Sequence, residues 1–81
     1  MTHPAPTGLE IDGAKLRDLR QLAGFTITGF APKCGVSLGY LSHIERGVRR
    51  TVSPPVFIRI CDALGISAED RRTMLRPKAS V

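Results

Sequence analysis

Between residues 26 and 52, four basic side chains (Lys33, Arg46, Arg49 and Arg50) stand against a single acid, Glu45. A guanidinium is a planar fork of donors that matches phosphate oxygens. A cluster of this kind is therefore chemistry for holding a polyanion, not for making or breaking a bond. Interleaved with it, Ser42 and His43 offer a hydroxyl and ring nitrogens that can donate or accept at the edge of a nucleobase. The whole chain leans the same way: its 81 residues carry 12 Lys+Arg against 7 Asp+Glu, a net charge of +5. Residues 1–25 are balanced, and residues 53–81 are again basic.

Other chemistries lack their parts. There is no Gly-Lys-Ser/Thr phosphate loop, no helical pair of histidines, and no nucleophile with a base and an orienting group. Cys34, Cys61, His3 and His43 are not at zinc-ligand spacing, and no C-x-x-C occurs. The two cysteines read as small apolar core residues of a protein in the reducing cytoplasm. No enzyme activity, metal or cofactor is expected. Residues 1–8 have neither the charged nor the apolar region of a signal peptide, and no apolar run reaches membrane-spanning length, so no membrane partner is expected. The chain is 42% hydrophobic but only 5% aromatic, with no Trp, which predicts one small domain with a largely aliphatic core.

The elements that must position these groups are marked by regular punctuation. Residues 1–8 and 76–81 read as disordered tails around a domain at 9–75. Asp12 caps a helix over 13–23, with Leu16, Leu19, Leu22 and Ala23 on one face and Gly24 closing it. Thr26 caps a second helix through Cys34, with Gly35 as a left-handed stop. Ser37 caps a third through Arg46, ended by Gly47, and residues 48–52 form a basic loop. Ser53 followed by Pro54 starts a fourth helix that runs to Leu64 and stops at Gly65, with Phe57, Ile60, Cys61 and Leu64 as its apolar stripe. Ser67, with Glu69 and Asp70 behind it, starts a fifth helix to about Leu75. No strand-like alternation is visible, so the predicted class is all-α with five short helices.

Helices two and three are joined by Gly35, Val36 and Ser37 alone, an αL glycine, an apolar plug and a cap. This is the tight turn of a DNA-binding helix-turn-helix. It requires a small residue at Ala31, where the helices cross, and puts Val36, Leu41 and Ile44 inward. Leu38, Gly39, Ser42, His43 and Arg46 are left outward, with Tyr40 at the edge.

At these residues the chain resembles the lambda-repressor and Cro-like helix-turn-helix domains, also called the xenobiotic-response-element family. The resemblance is carried by residues 15–20, by Phe30-Ala31 ahead of Cys34-Gly35-Val36-Ser37, by residues 40–47, and by Ala63-Leu64-Gly65-Ile66-Ser67. It covers about residues 11–75. It implies a lambda-repressor-like bundle, a recognition helix at 38–46, and a structural ion pair between Arg20 and Glu45.

The expected DNA-binding set is Ile27, Thr28, Ser37, Leu38, Gly39, Tyr40, Ser42, His43, Arg46, Arg49 and Arg50. Ile27 stands where the family carries a Gln that touches phosphate or a base, so Thr28 or the amino terminus of helix two is expected to take over that contact. Leu38 meets a thymine methyl, and His43 a base edge. Gly39, costly inside a helix by about 1 kcal/mol, is read as making room for close approach to DNA. Ser37, Ser42 and the three arginines meet phosphate, or one Arg enters the minor groove. For Tyr40, packing and a hydroxyl-to-phosphate bond are equally open. Pro32 deletes a backbone hydrogen bond, so helix two is expected to be kinked or short.

The function expected from all of this is a stand-alone, sequence-specific, double-stranded-DNA-binding transcriptional repressor. It would act as a homodimer on a palindromic operator, with Ile66, Met74 and Leu75 as its dimer surface. The alternatives are a protein-interaction module, such as a toxin-binding antitoxin on the same scaffold, and a nonspecific nucleic-acid binder.

Overall fold

A computed structural model describes residues 8–77. In chain order they form β1 (Leu9–Glu10), α1 (Gly13–Leu22), α2 (Ile27–Cys34), α3 (Leu38–Glu45), β2 (Thr51–Val52), α4 (Pro54–Ala63) and one turn of 3₁₀ helix (Arg71–Met74). Each α-helix begins at a side-chain cap. Asp12 accepts from the Lys15 N–H, Thr26 from Gly29, Ser37 from Tyr40 and Ser53 from Val56. These bonds satisfy donors that the first helical turn otherwise leaves open.

The core is aliphatic around two phenylalanines: Ile11, Leu16, Phe30, Ala31, Cys34, Leu41, Ile44, Val52, Phe57, Ile60, Cys61 and Met74 are all buried. Ala31 sits at the α2–α3 crossing with 2% exposure. Gly35 turns the chain between those helices at φ 67°, a conformation in which a Cβ would crowd the backbone. Helix α2 runs unbroken through Pro32, which faces solvent. It is not shortened, and the turn that follows is secured by bonds from Gly35 N–H to Pro32 O and from Val36 N–H to Ala31 O.

Two expectations about architecture are corrected. The first is the fifth helix. Residues 68–70 form a turn, with Asp70 N–H bonded to Ser67 O and Ser67 Oγ to the Asp70 carboxylate, and only a 3₁₀ turn follows. Ser67 and Asp70 thus spend their side chains on each other instead of on a helix start. Beyond Met74 the backbone is drawn into extended pairing: Asp12 N–H bonds to Met74 O at 2.8 Å, Leu75 bridges Ile11, and Arg76 N–H bonds to Glu10 O at 2.9 Å.

The second is the missing sheet. β1 and β2 pair antiparallel, Leu9 with Val52 and Glu10 with Thr51, so the predicted basic loop ends in a strand. Two-residue strands are too short to show alternation in a sequence. The fold is therefore four α-helices plus a small sheet.

Two burial expectations also change. Leu22 is 76% exposed and Ala23 is exposed, while Gly13 and Arg20 take places on the inner face of α1. At 3.6 residues per turn Leu22 lies about 120° around the helix from Leu16, beyond the edge of the inner face. Met74 is fully buried in the chain's own core, which removes it from the expected dimer surface, while Ile66 and Leu75 are half-buried against the same core. Arg76, assigned to the carboxy-terminal tail, is tied to Glu10 as above. Gly8 and Pro77 are also described, and the remainder of the two expected tails, residues 1–7 and 78–81, lies outside the described residues.

Candidate nucleic-acid interface

Helix α3 buries Leu41 and Ile44 completely and turns Leu38, Gly39 and His43 to solvent, with Leu38 47% exposed. Ser42 and Tyr40 are half-buried at its flanks, and Arg46 is exposed as its carboxy-terminal cap. The Ser37 hydroxyl accepts the Tyr40 N–H at 3.1 Å as the helix cap, which leaves its O–H free to donate. At the start of α2, Thr28 is exposed, whereas Ile27 is half-buried against the core. The α2 terminus is capped from within by Thr26 Oγ, 3.1 Å from the Gly29 N–H.

After α3 the chain reverses at Gly47 and folds back over the helix end. Val48 and Arg49 both give their N–H groups to the His43 carbonyl, at 2.9 and 3.0 Å. The Arg49 guanidinium carbon comes to 4.7 Å from the centroid of the Tyr40 ring. The Arg50 carbonyl accepts the Ile11 N–H at 2.9 Å, tying the loop to the strand side of the fold. Arg46, Arg49 and Arg50 are all exposed, and among the described residues none makes an ion pair. The structure thus gathers Leu38, Gly39, His43 and the three arginines along one exposed run of α3 and the loop that follows it.

The segment's one acid is turned away from this surface. Glu45 binds Arg20 through two bonds, Nε to Oε2 at 2.7 Å and the second guanidinium nitrogen to Oε1 at 3.0 Å. A third Arg20 donor reaches the Phe25 carbonyl at 2.7 Å. The two side chains are only 8% and 4% exposed. The bond to the Glu45 carboxylate raises the Arg20 pKa above its ordinary value, against the cost of burial, which lowers it. Glu45 therefore does not neutralise the arginines of the loop. An interface built of unpaired guanidinium groups around an acid-free helix face can hold phosphates at its rim and hydrogen-bond base edges at its centre.

Sequence reasoning missed the contact of Arg49 with Tyr40 and the role of the Phe25 carbonyl. Neither has a helical spacing to give it away, since one depends on the reversal at Gly47 and the other on the turn after α1.

Among the described residues, no group of three or more His, Cys, Asp and Glu side chains is placed to hold a metal. None of the described helices is long and apolar enough to cross a membrane.

Residues 13–74 match the family model described as a helix-turn-helix domain. The chain is 41% identical over 61 residues to the HTH-type transcriptional regulator YazB of Bacillus subtilis, spanning 75% of this chain and 87% of YazB. It is 44% identical over 55 residues to the transcriptional regulator ClgR of Mycobacterium tuberculosis, over 68% of this chain but only 48% of that longer protein. Its fold superposes with a TM-score of 0.67 on SinR, the master regulator for biofilm formation, in a crystal structure with DNA. That match has 27% identity and covers 74% of this chain and 95% of the SinR chain; SinR is a Bacillus subtilis protein.

Proposed function

The chain belongs to the helix-turn-helix domain family of DNA-binding transcription regulators, and from that premise we propose that it reads double-stranded DNA sequence-specifically and represses transcription in the cytoplasm. Helix α3 lies in the major groove. Leu38, Gly39, Ser42 and His43 meet base edges or their methyl groups, and Arg46, Arg49 and Arg50 hold the flanking phosphates. Ser37, Thr28 and the half-buried Ile27 border the same groove. The observation that supports this most directly is the orientation of Glu45. With that acid bonded inward to Arg20, the exposed surface from Leu38 to Arg50 carries basic charge alone.

One recognition helix contacts too few base pairs to find a single site in a genome. Two copies are therefore proposed to bind a palindromic operator, with half-sites about one helical turn apart. The test is selection of bound duplexes from a random pool at physiological salt, with the mass of the complex measured on the enriched site. A palindrome held by two copies is the expected result. Equal retention of all sequences, with an affinity that depends on salt alone, would identify a nonspecific binder instead.

A further inference from the structure

Tyr40 is the chain's one tyrosine, and the Arg49 guanidinium lies over its ring. Both ends of this contact are held by backbone. Tyr40 is in the first turn of α3, its N–H bonded to Ser37 Oγ and its ring packed against the edge of the core. Arg49 is brought back over the helix by the two N–H bonds that converge on the His43 carbonyl. All the N–H bonds of a guanidinium lie in its plane. A guanidinium held over a ring by its central carbon keeps the donors that point away from the ring free for a phosphate.

We propose that Tyr40 is a positioning residue for DNA binding: its ring holds the Arg49 guanidinium ready at the rim of the interface. Its effect on affinity passes through Arg49, not through a contact of its own hydroxyl. The proposal rests on the DNA-binding reading above and says how one part of that surface works. A free arginine surrenders the rotamer freedom of a long side chain when it meets a phosphate, whereas a stacked one has surrendered part of it beforehand.

Two variants separate the ring from the hydroxyl: Tyr40→Phe keeps the ring, and Tyr40→Leu removes it. In the free protein, the Arg49 methylene protons are expected to be shifted upfield by the ring current in the wild type and in Tyr40→Phe, and unshifted in Tyr40→Leu. On the selected duplex, Tyr40→Phe binds like the wild type, while Tyr40→Leu binds about two- to fivefold more weakly. In an Arg49→Ala background, Tyr40→Leu costs nothing further.

A loss in Tyr40→Phe equal to that in Tyr40→Leu, or an undiminished Tyr40→Leu loss without Arg49, overturns the proposal. If Tyr40→Leu does not fold, the Arg49 shifts and Tyr40→Phe still decide: unshifted wild-type Arg49 protons, or weakened binding by Tyr40→Phe, overturn it. A wild type that binds no duplex, with Arg49 still shifted, overturns the functional reading itself and this proposal with it.

Discussion

Gly13 and Ile44 meet backbone to backbone, so closely that a Cβ on Gly13 would run into the Ile44 carbonyl oxygen. The first residue of α1 and the last turn of α3 are thereby set against each other with no side chain between them. Gly13→Ala must push main chain apart, which a flexible neighbour cannot relieve. It is expected to destabilise the domain by about 1–3 kcal/mol or more, read as a lower midpoint in denaturant.

Gly39 is the opposite case. A Cβ there meets nothing within 4 Å, and its φ lies outside the left-handed range. Nothing inside the domain requires glycine at this helical, exposed position. Gly39→Ala is therefore expected to raise stability by up to about 1 kcal/mol and to weaken DNA binding. A variant both more stable and unimpaired on DNA would mean that no close approach occurs at this point of α3.

Arg20 and Glu45 form a buried, doubly bonded pair, so the small contribution usual for surface ion pairs does not apply. Removing either partner strands a buried charge and is expected to cost about 3–5 kcal/mol. The double variant Arg20→Met/Glu45→Leu should be less damaged than the sum of the two single losses. Urea denaturation of the four proteins measures the coupling. Unchanged stability in Glu45→Ala with altered base preference would make Glu45 a reader of DNA.

Base and phosphate contacts differ in what they do to selectivity. His43→Ala is expected to cost about 1–3 kcal/mol on the selected site and to relax choice at one position of each half-site. Arg50→Ala should weaken every sequence alike and lower the salt slope by about one. Affinities for the selected and a scrambled duplex, across a salt series, distinguish the two signatures.

Burial pushes the Cys34 thiol up from 9.0 to about 11, despite the opposing pull of Arg59. Cys61 moves in the same direction for the same reason. Between those two values the unfolded chain holds fewer protons than the native one, so stability must fall as pH rises from about 9 to about 11 and be insensitive to this group below that window. Melting temperatures across the alkaline range should show the decline, and Cys34→Ala should flatten it. At neutral pH a thiol reagent should modify either cysteine only on unfolding.

Much of the fold is local and could be read from the sequence. Asp12, Thr26, Ser37 and Ser53 cap helices because the rule involves only the next three residues, and Gly35 turns the chain for reasons confined to its own φ. Leu41 and Ile44 go inward, and Leu38 and His43 outward, by helical period alone. What could not be read depends on partners far away in sequence. Leu9 and Val52 become strand only in each other's company, and Met74 is buried because the chain returns beside Ile11 and Asp12. At the interface, residue types and the exposed face were legible, but the stack of Arg49 on Tyr40 was not, since it follows from a loop reversal that has no periodic trace.

The placement of β1 between Thr51–Val52 on one side and residues 74–76 on the other has a consequence for how the protein is made. On the ribosome, the four helices emerge in order, and α2, α3 and the turn between them can meet early. The slot beside Ile11 stays empty until Met74 and Arg76 have cleared the exit tunnel. Closing it joins nearly the two ends of the domain, the kind of distant contact that comes last and slowest. Until then Ile11 and Asp12 lack their backbone partners at Leu75 and Met74, and the core lacks the Met74 side chain. A transcript cut short before the codon for Met74 would encode all of α3 but none of the segment that pairs with Glu10, Ile11 and Asp12.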